Sequence, residues 1–421
     1  MSHYKPYPAY KDSGVEWLGR VPEHWTIGPY KATIQIENGS DYKEVEADDG
    51  YPVIGSGGPF AYSSKLMYDG ESVLLGRKGT IDKPLYVNGA FWAVDTMYWS
   101  IIKPGAHGRF AYYTATTIPF DMYSTNTALP SMTKSVLGSH VVAFPGFEEQ
   151  QAIAGHLDRE TARIDALVEK KIRFIELLRE KRQALITHAV TKGLDPSVKM
   201  KDSGVEWLGA VPEHWVIKRF RDICISISTG PFGTALGNED YITGGIPVIN
   251  PSHIIDEQCS PDPDITVSTE TALRLSFWAM RAGDLVTARR GELGRAAIIF
   301  GEQDGWICGT GSLRVRPNPS QALTEYLHTV LQSRYAREWL NLASVGATMA
   351  NLNEGILGSL PLALPPSTAE QEKLLSSLAA QSERLIKIEQ KAALSVALLK
   401  ECRSALITAA VTGQIDLREA V

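Results

Sequence analysis

The feature that most constrains this chain is an internal duplication. Residues 11–25 read KDSGVEWLGRVPEHW, residues 201–215 read KDSGVEWLGAVPEHW, and 14 of the 15 positions are identical at an offset of 190. A second match, at an offset of 221, joins RQALITHAVTKGLD at 182–195 to RSALITAAVTGQID at 403–416. Matches of this kind indicate two copies of one structural unit, so the repeat sets the frame for every prediction about the fold.

Between these two matches the offset rises steadily. Pro-Val-Ile at 52–54 pairs with Pro-Val-Ile at 247–249 at an offset of 195, and Leu-Gly-Ser at 137–139 pairs with 357–359 at an offset of 220. The copies are therefore collinear, with longer loops in the second. Weak similarity between strongly similar ends predicts a constant frame that holds two different globular domains.

A long helix is predicted at the end of each copy. No glycine lies between Gly155 and Gly193, and apolar residues recur at seven-residue spacing in both copies, interrupted in the first by Lys171, which is typical of a coiled coil. About 40 residues of helix span roughly 60 Å, and a helix this long needs a partner to cover its apolar stripe. We expect that partner to be the duplicated helix. The positions assigned to this stripe are Leu157, Ile164, Leu178, Leu185, Leu378, Leu385, Leu399 and Leu406.

The predicted fold is α+β: two globular mixed α/β domains separated by two long antiparallel coiled-coil helices in a pseudo-twofold internal repeat. Short β-prone runs punctuated by Gly and Pro indicate mixed sheets in the globular domains, and residues 320–342 show the periodicity of one amphipathic helix. The predicted segments are the first conserved segment 1–25, globular domain 26–147, helix 148–192, linker with the second conserved segment 193–215, globular domain 216–365, and C-terminal helix 366–421.

Composition narrows the class of protein. A 44% hydrophobic and 21% charged chain is ordinary for a globular protein. The N-terminus has no signal-peptide pattern and no apolar run approaches 18 residues, so a cytoplasmic protein without a membrane span is expected. The four cysteines lie far apart, without CxxC pairs, which argues against a disulfide framework and against a metal site.

No catalytic motif is found in the sequence. The chain lacks a GxxxxGK[ST] phosphate loop, a GxGxxG turn, HExxH and GxSxG, and the Gly-rich run at 55–58 has no lysine. We therefore predict no enzyme activity and no cofactor in this chain.

Two basic turns occupy equivalent places in the copies. Arg-Lys-Gly at 77–79 and Arg-Arg-Gly at 289–291 each follow a short predicted strand. Such side chains can bind phosphates, and Arg can read guanine, although a solvated turn explains the spacing equally well. Polar residues after another strand form a second candidate group. The candidate DNA-binding residues are Ser56, Gly57, Arg77, Lys78, Gly79, Asn250, Ser252, Arg289, Arg290 and Gly291.

The net charge of −6 weighs against a nucleic-acid-binding chain. Residues 26–147 carry 9 basic and 11 acidic side chains, and residues 216–365 carry 12 and 15. Any DNA-binding surface must therefore be a local patch, or a partner must supply positive charge.

The conserved segments carry two tryptophans each: Trp17 and Trp25, then Trp207 and Trp215. Their repetition at both junctions favours an architectural role, in which they brace each globular domain on the end of a helix. Pseudo-twofold placement also predicts that the segment around Ile415 lies close to residues 11–17.

Taken together, these motifs resemble the DNA-specificity subunit of type I restriction–modification systems. The resemblance rests on GVEWLGxVPEHW, on the variable domain with its basic turn, and on the Pro…Glu-Gln start of the long helix at 145–150 and 365–371. It covers nearly the whole chain, and the order and doubling of the motifs are its most specific elements.

The resemblance implies a non-catalytic recognition subunit. Each globular domain would be a target recognition domain that reads one half of a bipartite, asymmetric site in double-stranded DNA, with the helices setting the spacer. The implied partners are two modification (methyltransferase) subunits, which carry S-adenosylmethionine, and restriction subunits, with ATP and Mg²⁺ on the partner subunits. A coiled-coil scaffold without direct DNA readout stays the alternative.

Overall fold

The chain forms two compact units in the computed structural model. Unit 1 comprises Met1–Ile172 with Ala393–Val421, and unit 2 comprises Arg173–Ala392. Each unit thus combines one globular domain with part of both long helices. The residues that the structure describes are 4–123, 130–344 and 351–418.

Unit 1 is built around a seven-stranded sheet. The strands of unit 1 as a whole are β1 (Tyr10–Asp12), β2 (Arg20–Pro22), β3 (Thr26–Pro29), β4 (Ile34–Asn38), β5 (Glu46–Ala47), β6 (Tyr51–Gly55), β7 (Gly58–Ser63), β8 (Tyr68–Gly76), β9 (Leu85–Ala93), β10 (Met97–Ile102) and β11 (Val141–Phe144). Its helices are α1 (Gly108–Ala115), α2 (Phe120–Tyr123), α3 (Lys134–Ser139) and the first part of α4 (Phe147–Lys192). The sheet order is β4-β10-β8-β9-β6-β7-β5, and β6 pairs with β9 in parallel.

Unit 2 carries the same framework with more segments. Its strands are β12 (Met200–Asp202), β13 (Ala210–Pro212), β14 (Val216–Arg219), β15 (Cys224–Thr229), β16 (Tyr241–Ile242), β17 (Ile246–Ile249), β18 (Ile254–Ile255), β19 (Gln258–Cys259), β20 (Thr266–Val267), β21 (Leu285–Ala288), β22 (Ala296–Ile298), β23 (Ile307–Cys308), β24 (Ser312–Pro317) and β25 (Pro361–Leu364). Its helices are α5 (Thr269–Arg274), α6 (Thr324–Gln332), α7 (Arg334–Ala343), α8 (Glu354–Ser359) and the first part of α9 (Thr368–Val411).

In unit 2 the counterpart of the seven-stranded sheet is divided into two four-stranded sheets, β15-β24-β21-β22 and β16-β20-β17-β23. The order β15-β24-β21-β22 in unit 2 matches β4-β10-β8-β9 in unit 1, and β17 pairs in parallel with β23 as β6 does with β9. In unit 1 the single strand β9 contacts both β8 and β6, whereas in unit 2 its two roles are divided between β22 and β23. Residues 299–306, inserted between β22 and β23, account for part of the greater length of the second copy.

The central strand of each sheet is buried on both faces. Side chains alternate along a strand, so Val73 of β8 joins one apolar core while its neighbour Leu74 joins another. Leu285 and Val286 of β21 divide in the same way. This explains why the sequence shows continuous apolar runs here and not an alternating pattern.

The duplicated segment folds into the same hairpin in both units. β1 pairs with β2, and β12 with β13, in antiparallel register. The Asp12 carboxylate accepts a hydrogen bond from the Gly14 amide (2.9 Å), and Asp202 does the same for Gly204 (3.0 Å). Gly14 and Gly204 both have a positive φ, a conformation that glycine adopts without strain.

The long helices contact each other within each unit. In unit 1, Arg403 of α9 pairs with Asp165 of α4 (2.9 Å), and in unit 2 Arg179 pairs with Glu389 (2.7 Å). Five of the predicted stripe positions are buried and the other three are half-buried: Leu157, Ile164, Leu178, Leu378 and Leu406, then Leu185, Leu385 and Leu399.

Two helix predictions need correction. The predicted single helix over 320–342 is wrong, because Ser333 adopts an extended conformation (ψ 145°) and separates α6 from α7. Its hydroxyl accepts a hydrogen bond from the Ala336 amide and so starts the second helix. The C-terminal helix also stops at Val411, before the predicted 421, because Gly413 takes a positive φ (72°) that ends it.

The C-terminal segment of unit 1 meets the first hairpin, as predicted. The Gln414 side chain donates to the Arg20 carbonyl (2.8 Å), and the Asp416 amide donates to the Lys5 carbonyl (2.8 Å). Ile415 lies in the same apolar core as Leu18 and Trp25.

Candidate nucleic-acid interface

The Arg-Lys-Gly turn of unit 1 directly follows β8 and is held by backbone hydrogen bonds on two sides. The Arg77 and Lys78 amides both donate to the Thr96 carbonyl, at 2.9 and 3.3 Å. The Met132 amide donates to the Arg77 carbonyl (3.0 Å). Gly79 has a φ of 80°, so the turn needs glycine at this place.

The two basic side chains of this turn have different surroundings. Arg77 is half-buried: its guanidinium donates to the Asp95 carbonyl (3.3 Å) and lies 5.8 Å from the centre of the Tyr98 ring. Lys78 is exposed and makes no side-chain hydrogen bond or ion pair with any residue that the structure describes. Arg77 therefore fixes the turn, and Lys78 presents a charge to solvent.

Unit 2 repeats this arrangement at Arg289-Arg290-Gly291. The Arg289 amide donates to the Gly311 carbonyl (3.0 Å), and the Leu352 amide donates to the Arg289 carbonyl (2.8 Å). The half-buried guanidinium of Arg289 also donates to the Leu352 carbonyl (3.1 Å). Burial, followed by the neighbouring charge of Arg290, lowers the pKa of Arg289. Arg290 is exposed, with no side-chain partner among the described residues, as is the case for Lys78.

The second group of predicted residues directly follows strands β6 and β17. Ser56 and Gly57 form the turn between β6 and β7, while Asn250 and Ser252 follow β17. Gly57 and Ser252 are exposed, and the other two are half-buried. Asn250 begins the 3₁₀ turn Pro251–His253, and its amide donates to His253 Nδ1 (3.3 Å).

One loop in each unit brings these groups together. In unit 1 it is residues 94–96: the Val94 amide donates to the Ile54 carbonyl at the end of β6, and Thr96 accepts from the basic turn. In unit 2 the loop is 309–311, where the Gly309 amide donates to the Ile249 carbonyl. The predicted candidates of each unit therefore lie around one bracing loop.

Sequence reasoning missed both loops and the glycines packed against them. A Cβ atom at Gly39 would overlap the Val94 carbonyl oxygen, and one at Gly230 would overlap that of Gly309. These glycines follow β4 and β15 at an offset of 191, which continues the offset series of the repeat and was the signal that could have found them.

A basic and aromatic groove of about 550 Å³ in unit 2 was also missed. Arg281, Arg314 and Arg316 line it, together with Phe232 and Phe277, whose side chains are 69% and 65% exposed. Arg316 makes a bidentate ion pair with the buried Asp284 (2.8 and 2.7 Å), and this hydrogen bonding raises its pKa. Arg314 and Arg316 alternate along β24 and were the only local signal of the groove, because Arg281 and the two phenylalanines come from separate segments of the chain.

The glutamate of the Glu-Gln pair ties the repeated segment to the long helix. Glu149 accepts hydrogen bonds from Trp25 Nε1 (3.2 Å) and His24 Nε2 (2.9 Å). In unit 2, Glu370 accepts from the equivalent Trp215 Nε1 and His214 Nε2, both at 2.8 Å. The repeated His-Trp pair and the repeated glutamate thus form one junction, made twice.

The glutamine of the pair ties the long helix to the globular domain. Gln150 accepts from the His107 amide (2.9 Å) just before α1, and donates to the Pro145 carbonyl (2.8 Å). Gln371 accepts from the Leu323 amide (2.8 Å) just before α6 and donates to the Gln321 carbonyl (3.0 Å).

The four junction tryptophans do not share one environment. Trp25 and Trp215 are fully buried, in keeping with the predicted architectural role. Trp17 stacks on His140 with ring centres 4.6 Å apart. Trp207 is 52% exposed and fills no core, so the structure contradicts a buried bracing role for it. The reason is that Leu360 stands where unit 1 has His140, and it offers no ring for stacking.

His140 makes unit 1 sensitive to acid. It is buried, and burial lowers its pKa to about 4, while the unfolded side chain titrates near 6.5. Above pH 6.5 the ring is neutral in both the folded and the unfolded chain, and the free energy of unfolding is not reduced. As the pH falls from 6.5 towards 4, the unfolded chain binds a proton that the folded protein does not, so the free energy of unfolding decreases. In the wild type the free energy of unfolding should fall by about 2 kcal/mol between pH 7 and pH 5. His140→Leu, which copies Leu360 of unit 2, should abolish this fall.

Urea unfolding at both pH values, with wild-type and variant compared, measures this difference. The transition of unit 2 is the internal control. An equal loss of stability in the two proteins would show that His140 does not titrate on unfolding.

Comparison with known proteins gives the family. The model of the type I restriction modification DNA specificity domain matches twice, over residues 22–177 and 212–396, once in each copy. The chain belongs to this family. A curated relative, the type I restriction enzyme EcoBI specificity subunit of Escherichia coli, is 22% identical over 94% of this chain and 85% of its own length. The EcoprrI specificity subunit of the same organism is 27% identical over 26% of this chain and 27% of its own.

Solved structures support the fold of this specificity-domain protein. A chain from a study of complex assembly and conformational transition of the type I R-M system superposes with a TM-score of 0.72, at 16% identity, over 94% of this chain and 99% of that one. The HsdS subunit from Thermoanaerobacter tengcongensis gives 0.53, at 15% identity, over 94% and 98%. Both show that this chain shares the fold of these solved chains.

Neither a membrane-spanning helix nor a candidate metal site occurs in the part of this specificity-domain chain that the structure describes. No helix there is long and apolar enough to cross a membrane. No group of three or more His, Cys, Asp or Glu side chains there is placed to hold a metal ion.

Proposed function

We propose that this chain is the non-catalytic DNA-recognition subunit of a type I restriction–modification complex, and that each globular domain reads one half of a bipartite, asymmetric site. The observation that carries the proposal is the pair of equivalent basic turns at 77–79 and 289–291. In each, one half-buried arginine fixes the turn and the next basic residue is exposed. The surrounding loops differ between the units, so the two domains read different sequences.

The long helices then set the distance between the half-sites. Contacts between the two helices recur in both units, which supports an antiparallel coiled coil as the spacing element. Helix α4 has 46 residues and is about 70 Å long, which exceeds the roughly 34 Å of one DNA turn.

The net charge of −6 is accommodated by sharing phosphate attraction with partner subunits. Two modification subunits would supply S-adenosylmethionine and the methyl-transfer chemistry, and restriction subunits would supply the ATP- and Mg²⁺-dependent steps. The EcoBI relative is called a specificity subunit of a type I restriction enzyme, which supports this assignment of roles.

A scaffold without DNA readout is the second candidate. It is favoured by the exposed apolar side chains on the helices, among them Leu167, Leu394 and Leu398 of unit 1. A scaffold would show no salt-dependent DNA binding even with modification subunits bound, whereas phosphate contacts make binding fall steeply with salt.

Lengthening both helices tests the spacing role. Four residues inserted after Ile172 and four after Ala392 add about 6 Å of helix, close to the rise of two base pairs. We expect the preferred spacer to grow by about two base pairs and both half-sites to stay unchanged. Binding of a spacer-length series of duplexes by the complex with modification subunits measures this, and the same four residues appended after Val421 provide the control. An unchanged spacer preference would refute the role of the helices.

A further inference from the structure

The junction of unit 1 is closed by the N-terminal arm, residues 4–9. Tyr7 is buried, and its hydroxyl donates to Glu149 Oε1 (2.8 Å) while its ring meets the Trp25 ring edge-on. Tyr4 lies on the helix, with its hydroxyl 3.0 Å from His156 Nε2. The arm also pairs with the C-terminal segment through the Lys5 carbonyl.

Unit 2 has no separate arm. At the repeat offset of 190 the positions equivalent to 4–9 are 194–199, which belong to the connection from α4 to β12, and Ser197 stands in place of Tyr7. Beside this connection lies a cavity of about 350 Å³. Among the residues that line it are Lys192, Asp195, Trp215, Glu370, Lys373 and Ser377.

The two junction glutamates differ in the exposed fraction of their side chains. The side chain of Glu149, covered by Tyr7, is 13% exposed, whereas that of Glu370 is 33% exposed. Trp215 and His214 both bond to Oε1 of Glu370, and its Oε2 accepts no hydrogen bond from the described residues. The cavity therefore keeps the acceptor that binds a phenol in unit 1.

We propose that this cavity binds an extended, tyrosine-bearing segment of a partner protein, with the phenol donating to Glu370. Tyr7 in its own junction shows the binding mode. Pro6 and Pro8 flank it and hold the arm extended, which lowers the entropy cost of docking. Lys192 and Lys373 line the cavity together with the acidic Asp195 and Glu370, so the tyrosine and the extended backbone, and not net charge, define the segment that fits.

The arm of a second copy of this chain is the other occupant to consider. In unit 1 the arm is held by Tyr4, Lys5 and Tyr7, and donating it to another molecule would break all three sets of contacts. A partner segment has no such cost. The proposal does not depend on DNA recognition and can be tested without DNA.

A fluorescein-labelled peptide with the sequence of residues 4–10, YKPYPAY, is the probe, and fluorescence polarisation with the full chain is the measurement. We expect saturable one-to-one binding. Phenylalanine at the Tyr7 position of the peptide should weaken it about tenfold, because a hydrogen bond to a carboxylate is lost.

Ser377→Trp, which fills the cavity, should abolish binding, and Ser376→Trp, on the neighbouring exposed helix position outside the cavity, should not. No saturable binding to the wild-type chain, or equal binding by the Ser377→Trp chain, would overturn the proposal. A concentration-dependent dimer in sedimentation velocity that is lost in both Ser377→Trp and Tyr7→Ala would assign the cavity to a second copy and also contradict the proposal.

Discussion

Alanine in place of Trp25 is expected to lower the free energy of unfolding of unit 1 by about 3–5 kcal/mol. The indole is fully buried between the first hairpin and the long helix, and its Nε1 is a donor to Glu149. The substitution therefore opens a cavity and removes a hydrogen bond to a charged group. Trp215→Ala should do the same to unit 2, where the indole donates to Glu370.

Trp207, the exposed tryptophan in the same repeated segment as Trp215, is the matched control. Trp207→Ala should change stability by no more than about 0.5 kcal/mol, as is usual for surface positions. Hydrogen–deuterium exchange assigns each loss to its unit, with faster exchange in unit 1 for Trp25→Ala and in unit 2 for Trp215→Ala. If Trp207→Ala were as damaging as Trp215→Ala, the account of the junction would be wrong.

The repeat made much of this fold predictable. The long helices were expected from heptad spacing, and the contact of the Ile415 segment with the first hairpin from the symmetry of the copies. Both follow from information that is local or repeated in the sequence. The division between α6 and α7 was missed because Ser333 lies within a continuous apolar periodicity, and only its extended backbone reveals the break.

The division of roles within each basic turn could not be predicted. Arg77 and Lys78 are adjacent in sequence, and their difference arises from carbonyl groups of a loop almost 20 residues away, at Asp95 and Thr96. The same holds for the cavity of unit 2. It exists because the N-terminal arm occurs once in a chain whose junction occurs twice.

Alanine in place of Lys78 should weaken recognition of one half-site by about tenfold or more and spare the other, and Arg290→Ala should do the reverse. A base-reading side chain contributes about 1–3 kcal/mol of discrimination, and a phosphate contact contributes to affinity and to the salt slope. Arg77→Ala and Arg289→Ala should affect the same halves as their neighbours, because they fix the turns. Lys65→Ala and Arg219→Ala remove one exposed charge from each domain and serve as controls.

Genome-wide methylation mapping shows whether the two domains read separate half-sites, because it reports both half-sites and the spacer at once. The chain would be expressed with modification subunits in a host without competing methylation. We expect one bipartite, asymmetric motif with a fixed spacer. One half of the motif should become degenerate in Lys78→Ala, and the other half in Arg290→Ala. A single uninterrupted motif, or loss of the same half in both variants, would contradict two independent readers held on one frame.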